Sequence, residues 1–271
     1  KLSIRSKMPH HDYTIFYMAA IDLQAVLEPH EFYVTQARER LLSRFSDIAQ
    51  EADEAERLYL ERAGKNFDPE RDDDAGVYER AYDAGIAQWI ALKQMHNTIT
   101  LALTAGMFHL FDKTLREKVV WEFSHWTDRE IMGPLIWDLG FPRLIQLLEW
   151  AGIDIKSKTF FSKLDRCRMV VNVYKHGDGD AHRDLSRHCP EYYPEHLSSD
   201  RTESFNTHYE FLTVSESQFG EFADAIADFW RNLPEYTMLS QMRDTPDWLE
   251  SEIKKYRKKH DKKNKLTKTD D

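Results

Sequence analysis

The residues with the clearest potential for chemistry lie in the segment LDRCRMVVNVYKHGDGD, which begins at Leu164. Arg168, Asn172 and His176 follow one another at intervals of four, so a helix would align them on one face. A guanidinium group can bind two phosphate oxygens at once, and a histidine imidazole can transfer a proton near neutral pH. The spacing therefore predicts a phosphate-handling site in which His176 is the acid or base and Arg168 holds the phosphate.

Further side chains extend this candidate site. We expect Asn172 to orient the imidazole or the phosphate, and Lys175 to add a second cationic contact to the phosphate. Four more residues on or after the helix are predicted to take part in binding: Asp165, Tyr174, Asp178 and Asp180. An alternative interpretation is that His176 only caps the helix end and that Asn172 is a hydrogen-bonded interior amide.

The opposite side of the predicted helix is apolar, and Leu164, Val171 and Tyr174 are expected to dock it in the core. Residues 176–189, which follow this helix, contain several histidines and aspartates and one cysteine. Their spacing fits neither a zinc finger nor an EF-hand, so we expect no metal site. The chain contains no glycine-rich nucleotide fingerprint and no nucleophile motif, so we expect no cofactor either.

The motif resembles that of the HEPN superfamily, all-α proteins common in prokaryotic toxin–antitoxin, abortive-infection and CRISPR-associated systems. The family pattern is Arg-Asn-x-x-x-His. Asn172 and His176 match its second half, Val171 stands where the arginine is expected, and Arg168 would replace that arginine from one turn earlier. The resemblance covers about residues 80–200. It implies a metal-independent endoribonuclease or RNA-binding effector of stress or phage defence, and a homodimer in which two motif helices meet.

A non-catalytic helical adaptor that binds a protein partner is the second functional hypothesis. Val171 in the arginine position favours it. The net charge of -10 also favours it, because an acidic protein does not coat nucleic acid without sequence preference. Residues 251–271 contain nine Lys or Arg and four Asp or Glu, which would suit RNA, an acidic surface or simply a solvated helix end.

Composition and periodicity predict an all-α fold. Of 271 residues, only 10 are glycine and 9 are proline, so long helices are expected. We predict one helical domain over residues 8–240, with the HEPN-like core inside it, and a basic, exposed tail over residues 241–271. The longest helical pattern runs from Val77 to Trp126, with a break or kink near Ala105–Gly106. One short strand is predicted, at residues 208–214.

Helix boundaries are predicted from prolines and capping residues. Residues 13–27 predict a short buried helix that stops at Pro29. The segments 127–130 and 215–218 each match a capping box, which predicts that a helix starts at each of them. Apolar residues at helical spacing over Val77–Trp126 predict the spine of the fold, and its apolar face begins with Tyr78, Tyr82, Ile86 and Trp89.

The expected location is the cytoplasm. The two cysteines, Cys167 and Cys189, are too few for a disulfide framework, which indicates a reducing compartment. The first residues lack the apolar region of a signal peptide. The longest apolar run, Ile99–Phe111, is too short to span a bilayer, so we expect no membrane association.

Overall fold

The structure is a computed structural model, and it describes residues 12–65, 67–68, 70–194 and 208–267, with side chains up to residue 262. Helices dominate these residues, which confirms the predicted all-α fold class. None of the described helices is both long enough and apolar enough to cross a membrane. The first residues of the predicted domain, 8–11, and the last of the predicted tail, 268–271, lie outside the described residues.

In chain order the helices are α1 (Ala20–Arg40), α2 (Ile48–Gly64), α3 (Asp74–Ser124), α4 (Arg129–Asp138), α5 (Phe141–Trp150), α6 (Phe161–His176), α7 (Asp180–His188), α8 (Glu216–Arg231) and α9 (Asp247–Thr267). Two short strands, β1 (Thr14–Tyr17) and β2 (Tyr236–Met238), pair antiparallel. In this pairing Tyr17 is opposite Tyr236, and the register shifts between Thr14 and Phe16.

The chain divides into two compact units, each built from separate stretches of sequence. Unit 1 comprises Lys1–His30, Met107–Asp165 and Phe222–Asp271, and unit 2 comprises Glu31–Gly106 and Arg166–Glu221. The sequence predicts one domain over these residues. The predicted HEPN-like core of about residues 80–200 coincides with neither unit.

The core of unit 1 is rich in aromatic side chains. Phe111 of α3 lies edge-on to Phe229 and Trp230 of α8, with ring centroids 5.0 and 5.7 Å apart. Such edge-to-face pairs contribute about 0.5–1.5 kcal/mol beyond the burial of their area. These contacts join residues that are more than a hundred positions apart in sequence, and they fix α8 on the second half of α3.

The basic C-terminal segment begins as a packed helix of unit 1. Leu249 and Ile253 of α9 are buried, and α9 packs against α4. The Tyr256 hydroxyl donates a hydrogen bond to the carboxylate of Asp138. The prediction that residues 241–271 form an exposed tail is therefore wrong for the first turns of α9. Apolar residues that recur at helical spacing among the lysines anchor these turns.

The N-terminal region differs from the predicted short helix. Residues 14–17 form β1, and Pro29 lies inside α1 instead of ending it. A proline in a helix interior costs about 3 kcal/mol relative to alanine. Asp22 of α1 pairs with Lys118, and His30 Nε2 lies 2.9 Å from the carbonyl oxygen of Ala223. These contacts with distant residues hold α1, and a sequence pattern cannot show them.

Helix α3 continues without interruption across Ala105 and Gly106, so the chain has no break there. Gly106 has a different role. The Tyr33 hydroxyl donates a hydrogen bond to the carbonyl oxygen of Leu103 at 2.9 Å. A Cβ atom at position 106 would lie 2.7 Å from that hydroxyl oxygen. The glycine therefore makes room for a tyrosine of unit 2 against the helix.

The strand predicted at residues 208–214 is also wrong, because residues 209–211 form a 3₁₀ turn. The turn leads to Leu212 and Val214, which are buried. The Asn97 amide of α3 donates to the carbonyl oxygen of Leu212 at 2.8 Å and accepts from the N–H of Val214 at 3.3 Å. One side chain thus supplies the hydrogen bonds that a neighbouring strand would have made.

Both helix starts predicted from capping boxes are confirmed. Ser215 Oγ accepts from the N–H of Gln218 at 3.1 Å, and the Gln218 side chain accepts from the N–H of Ser215 at 2.8 Å. Helix α4 starts where expected, but its cap is Asp128, whose carboxylate accepts from the N–H of Glu130 at 3.0 Å. Local side-chain chemistry therefore sets both helix ends.

Candidate functional site

The predicted motif helix is α6, and its C-terminal end is the candidate site. The helix ends at His176 and is followed by Gly177, whose φ of 68° is the left-handed conformation that often terminates helices. The Gly177 N–H donates to the carbonyl oxygen of Val173 at 2.8 Å. A Cβ atom added to Gly177 would lie 3.4 Å from the ring of Tyr209, so this ring lies against the helix end.

The three aligned residues of α6 become more exposed toward its end. Arg168 and Asn172 are half-buried, whereas His176 and its neighbour Lys175 are exposed. Within the described part of the chain, neither the Asn172 amide nor the His176 imidazole has a hydrogen-bond partner. Among those residues, the two groups therefore serve neither as a helix cap nor as a satisfied interior amide.

The apolar side of α6 is placed mostly as predicted. Leu164 and Val171 are buried, and Cys167 between them is fully buried. Tyr174 is 40% exposed, so its predicted docking in the core is wrong. The burial of Val171 bears on the family pattern, because the position where HEPN proteins carry arginine points into the core of this chain.

The predicted acidic residues differ in their surroundings. Asp165 is half-buried and is the last residue of α6 that belongs to unit 1, whereas the other predicted site residues belong to unit 2. Asp178 is exposed between the helices. Asp180 is exposed, begins α7 and pairs with Arg183. The chain after Gly179 is therefore helical as far as His188.

A buried histidine anchors α7. His182 is buried, and its Nδ1 lies 2.8 Å from the hydroxyl oxygen of Tyr193. Its ring lies edge-on to the rings of Tyr193 and Tyr209, with centroids 5.5 and 6.4 Å away. In the sequence, His182 is one of several polar residues between 176 and 189, and nothing in the metal-site patterns singles it out. A signal was present, because His182, Leu185 and Cys189 recur at helical spacing and all three are buried.

Exposed aromatic and cationic side chains occur in unit 2, which also contains the end of α6. Tyr174, Tyr209 and Phe211 are large exposed aromatic residues. Lys175 and Arg187 are exposed cations of the same unit. Aromatic rings stack on nucleic-acid bases, and cations contact the phosphates between them. Proteins that bind single strands of nucleic acid use side chains of these two types.

The part of the chain that the structure describes offers no other evident chemistry here. No three His, Cys, Asp or Glu side chains of the described residues come together so that they could hold a metal ion, those of 176–189 included. Burial raises the pKa of the Cys167 thiol. A thiol in that environment stays protonated at neutral pH and is not a nucleophile.

Comparisons of the chain with protein-family models, with curated protein sequences and with solved structures found no match in any of the three. These comparisons therefore neither support nor contradict the HEPN resemblance. The function has to be inferred from the residues at the C-terminal end of α6.

Proposed function

We propose that the C-terminal end of α6 binds single-stranded RNA and cleaves it without a metal ion, as the resemblance to HEPN proteins implies. One observation carries the proposal. The exposed imidazole of His176 follows the exposed ammonium group of Lys175, with the exposed ring of Tyr209 against Gly177 and that of Tyr174 on the other side of the helix end.

Binding would come from the rings and the lysine. Stacking of a base on an aromatic ring contributes about 1–3 kcal/mol and tolerates any base, because every base has a π-face. Tyr174 and Tyr209 offer two such rings, and Lys175 offers a point charge for a phosphate between them. This arrangement favours an unpaired strand, since the bases of a duplex are already stacked on one another.

Cleavage would use the 2′-hydroxyl of the RNA. Its oxygen forms a bond to the adjacent phosphorus while the bond from phosphorus to the 5′-oxygen breaks, which leaves a 2′,3′-cyclic phosphate. One proton leaves the 2′-hydroxyl and one reaches the 5′-oxygen. His176 can accept or donate one of these protons, and Arg168 would hold the charged phosphate. A homodimer would bring a second imidazole for the other proton.

The test is cleavage of labelled tRNA and total RNA in EDTA by the wild type, His176→Ala and His188→Ala. His188 is a matched control, since it is also an exposed histidine of unit 2 and lies at the end of α7. We expect wild type and His188→Ala to release cyclic-phosphate products, and His176→Ala to lose about 10²-fold or more in rate. Equal activity of the two variants, or a well-folded wild type that does not cleave, would contradict the proposal.

Binding is measured separately with a 2′-O-methyl oligonucleotide, which cannot be cleaved by this route. We expect Tyr174→Ala and Tyr209→Ala each to weaken binding by roughly tenfold, the loss of one stacked base. His176→Ala should bind nearly as well as the wild type, because the imidazole acts on protons. This measurement separates loss of RNA binding from loss of chemistry.

A further inference from the structure

A second surface of unit 2 carries exposed apolar side chains that have no part in the proposed RNA site. Tyr78, Tyr82, Ile86 and Trp89 follow at helical intervals and line one face of α3. The exposed fraction of each lies between 42% and 62%. The sequence predicts this face as the start of the spine of the fold, but the structure leaves it at the surface. Contiguous apolar surface of this kind commonly marks an interaction site.

A groove lies beside this face, where α2 and α3 approach closely. Ala52, Ala81 and Gly85 are buried at the approach, and a Cβ atom on Gly85 would lie 3.2 Å from the carbonyl oxygen of Ala52. The groove has a volume of about 200 Å³, and its lining includes Asp53, Glu56, Tyr82, Ile86 and Trp89. We call this surface the α2–α3 groove.

The surroundings of the α2–α3 groove are acidic. Asp53 and Glu56 line it from α2, and the exposed Glu79 and Asp83 follow the two tyrosines of α3. Among the described residues these four carboxylates form no salt bridge. Residues 47–93 contain 13 Asp or Glu and 6 Lys or Arg, so they carry -7 of the net charge of -10.

This charge favours one kind of occupant. A second copy of the chain, placed face to face by a two-fold axis, would bring the acidic surroundings of the groove against themselves. A basic amphipathic helix has the complementary pattern, an apolar stripe with Lys or Arg beside it. Tyr78 to Trp89 spans about 16 Å of α3 at 1.5 Å per residue, the length of three turns of a partner helix.

We propose that the α2–α3 groove docks a basic amphipathic helix of a partner protein. The apolar side chains of that helix pack on Tyr82, Ile86 and Trp89, and its Lys or Arg side chains pair with Asp53 and Glu56. The groove shares no residue with the end of α6. The proposal therefore goes beyond RNA cleavage and does not depend on it.

The test uses the full chain and two fluorescently labelled helical peptides of about 18 residues, five turns each. Both carry leucines at i, i+3, i+4 and i+7 spacing; the other positions are mostly lysine in one peptide and mostly glutamate in the other. Fluorescence anisotropy measures the dissociation constants. We expect the Leu–Lys peptide to bind and the Leu–Glu peptide to bind at least about tenfold more weakly.

Variants locate the binding surface. Trp89→Ala should weaken binding of the Leu–Lys peptide by about 10- to 30-fold, the loss of a central aromatic anchor, and Trp89→Phe should restore most of it. Trp137→Ala is the matched control, because Trp137 lies on α4 and is 46% exposed, against 43% for Trp89. It should leave binding unchanged.

A charge variant tests the acidic contacts. The double variant Asp53→Asn with Glu56→Gln should weaken binding and reduce its dependence on salt, since two ion pairs are lost. The matched control is the double variant Glu117→Gln with Asp224→Asn, two exposed acidic residues of unit 1 that do not line the groove.

Three outcomes would overturn the proposal. The first is equal binding of the two peptides, and the second is an equal effect of Trp89→Ala and Trp137→Ala. The third is a dimer of the chain, measured by light scattering, that Trp89→Ala converts to monomer, because a second copy would then occupy the groove. Circular dichroism of every variant confirms that a loss of binding is not a loss of fold.

Discussion

Replacing Val171 by Arg restores the full Arg-Asn-x-x-x-His pattern in the sequence, yet the structure predicts that this change damages the protein. Val171 is 5% exposed, and it shares the inner side of α6 with the fully buried Leu164 and Cys167. A guanidinium group at this position would have to lose its hydration or displace the helix from the core. Neither result brings an arginine next to the exposed His176.

Two costs determine the size of the effect. Removing a valine side chain from the core forfeits about 1.5–3 kcal/mol of burial. An unpaired charge in its place costs several kcal/mol more, although the long arginine side chain avoids part of this by reaching toward solvent. We therefore expect Val171→Arg to lower the free energy of unfolding by about 3–5 kcal/mol. For a chain of this size that corresponds to a fall in Tm of roughly 10 °C.

The assay is thermal unfolding followed by circular dichroism, with RNA cleavage measured on the same preparations. Asn172→Arg and Tyr174→Arg place the same group at a half-buried and at an exposed position of α6, and both should unfold near the wild-type temperature. The reasoning is refuted if Val171→Arg unfolds with the wild type and cleaves RNA faster. Position 171 would then face the site, and Arg168 would no longer be the residue that holds the phosphate.

Two further predictions concern stability. Ser215→Ala removes the reciprocal cap of α8 and should lower the free energy of unfolding, measured by urea titration, by about 1 kcal/mol. Ser215→Asp is the control, because an aspartate retains the cap. An unchanged free energy of unfolding in Ser215→Ala would contradict the prediction. Burial raises the pKa of Cys167 in the folded state, so its contribution to stability is complete below the unfolded thiol pKa near 8.5 and declines above it. Above that pH the free energy of unfolding of the wild type should fall by up to about 1.4 kcal/mol per pH unit more than that of Cys167→Ala. If the free energies of the two proteins changed in parallel with pH, Cys167 would not be the cause.

The parts of the fold that could be predicted from the sequence are those set by residues close together in the chain. Ser215 and Gln218 cap α8 across three residues, and Gly177 ends α6 directly after its last residue. Helix α5 begins at Phe141, with Pro142 in its first turn, where proline is favoured. In each case the atoms that make the boundary lie within one helical turn of it.

The failures depend on contacts between distant residues. β1 exists because it pairs with β2, more than two hundred residues later. Thr14 to Tyr17 are β-favouring residues, but their types alone do not show that a partner strand exists. Residues 208–214 have strand-like alternation, but Asn97 supplies their hydrogen bonds from α3. A pattern rule sees the alternation and cannot see which group satisfies the backbone.

The candidate site also has features that could be predicted from the sequence and features that could not. The alignment of Arg168, Asn172 and His176 follows from helical spacing and could be predicted. The ring of Tyr209 against Gly177 could not, since these residues are more than thirty positions apart and Tyr209 was assigned to a strand. The exposure of Tyr174 also escaped prediction, because an apolar ring on a helix side does not show whether the neighbouring element reaches it.

Apolar periodicity locates a face of a helix, but it does not show what covers that face. Along α3 the same spacing gives an exposed stripe from Tyr78 to Trp89 and a buried one at Leu115, Val119 and Phe123. The two stripes differ in composition. The exposed one is built mainly from Tyr and Trp, which carry a polar group and are enriched at protein interfaces, whereas the buried one has only apolar atoms in its side chains. The exposed part of α3 therefore has the composition of an interface, and a partner helix accounts for it better than an incomplete core does.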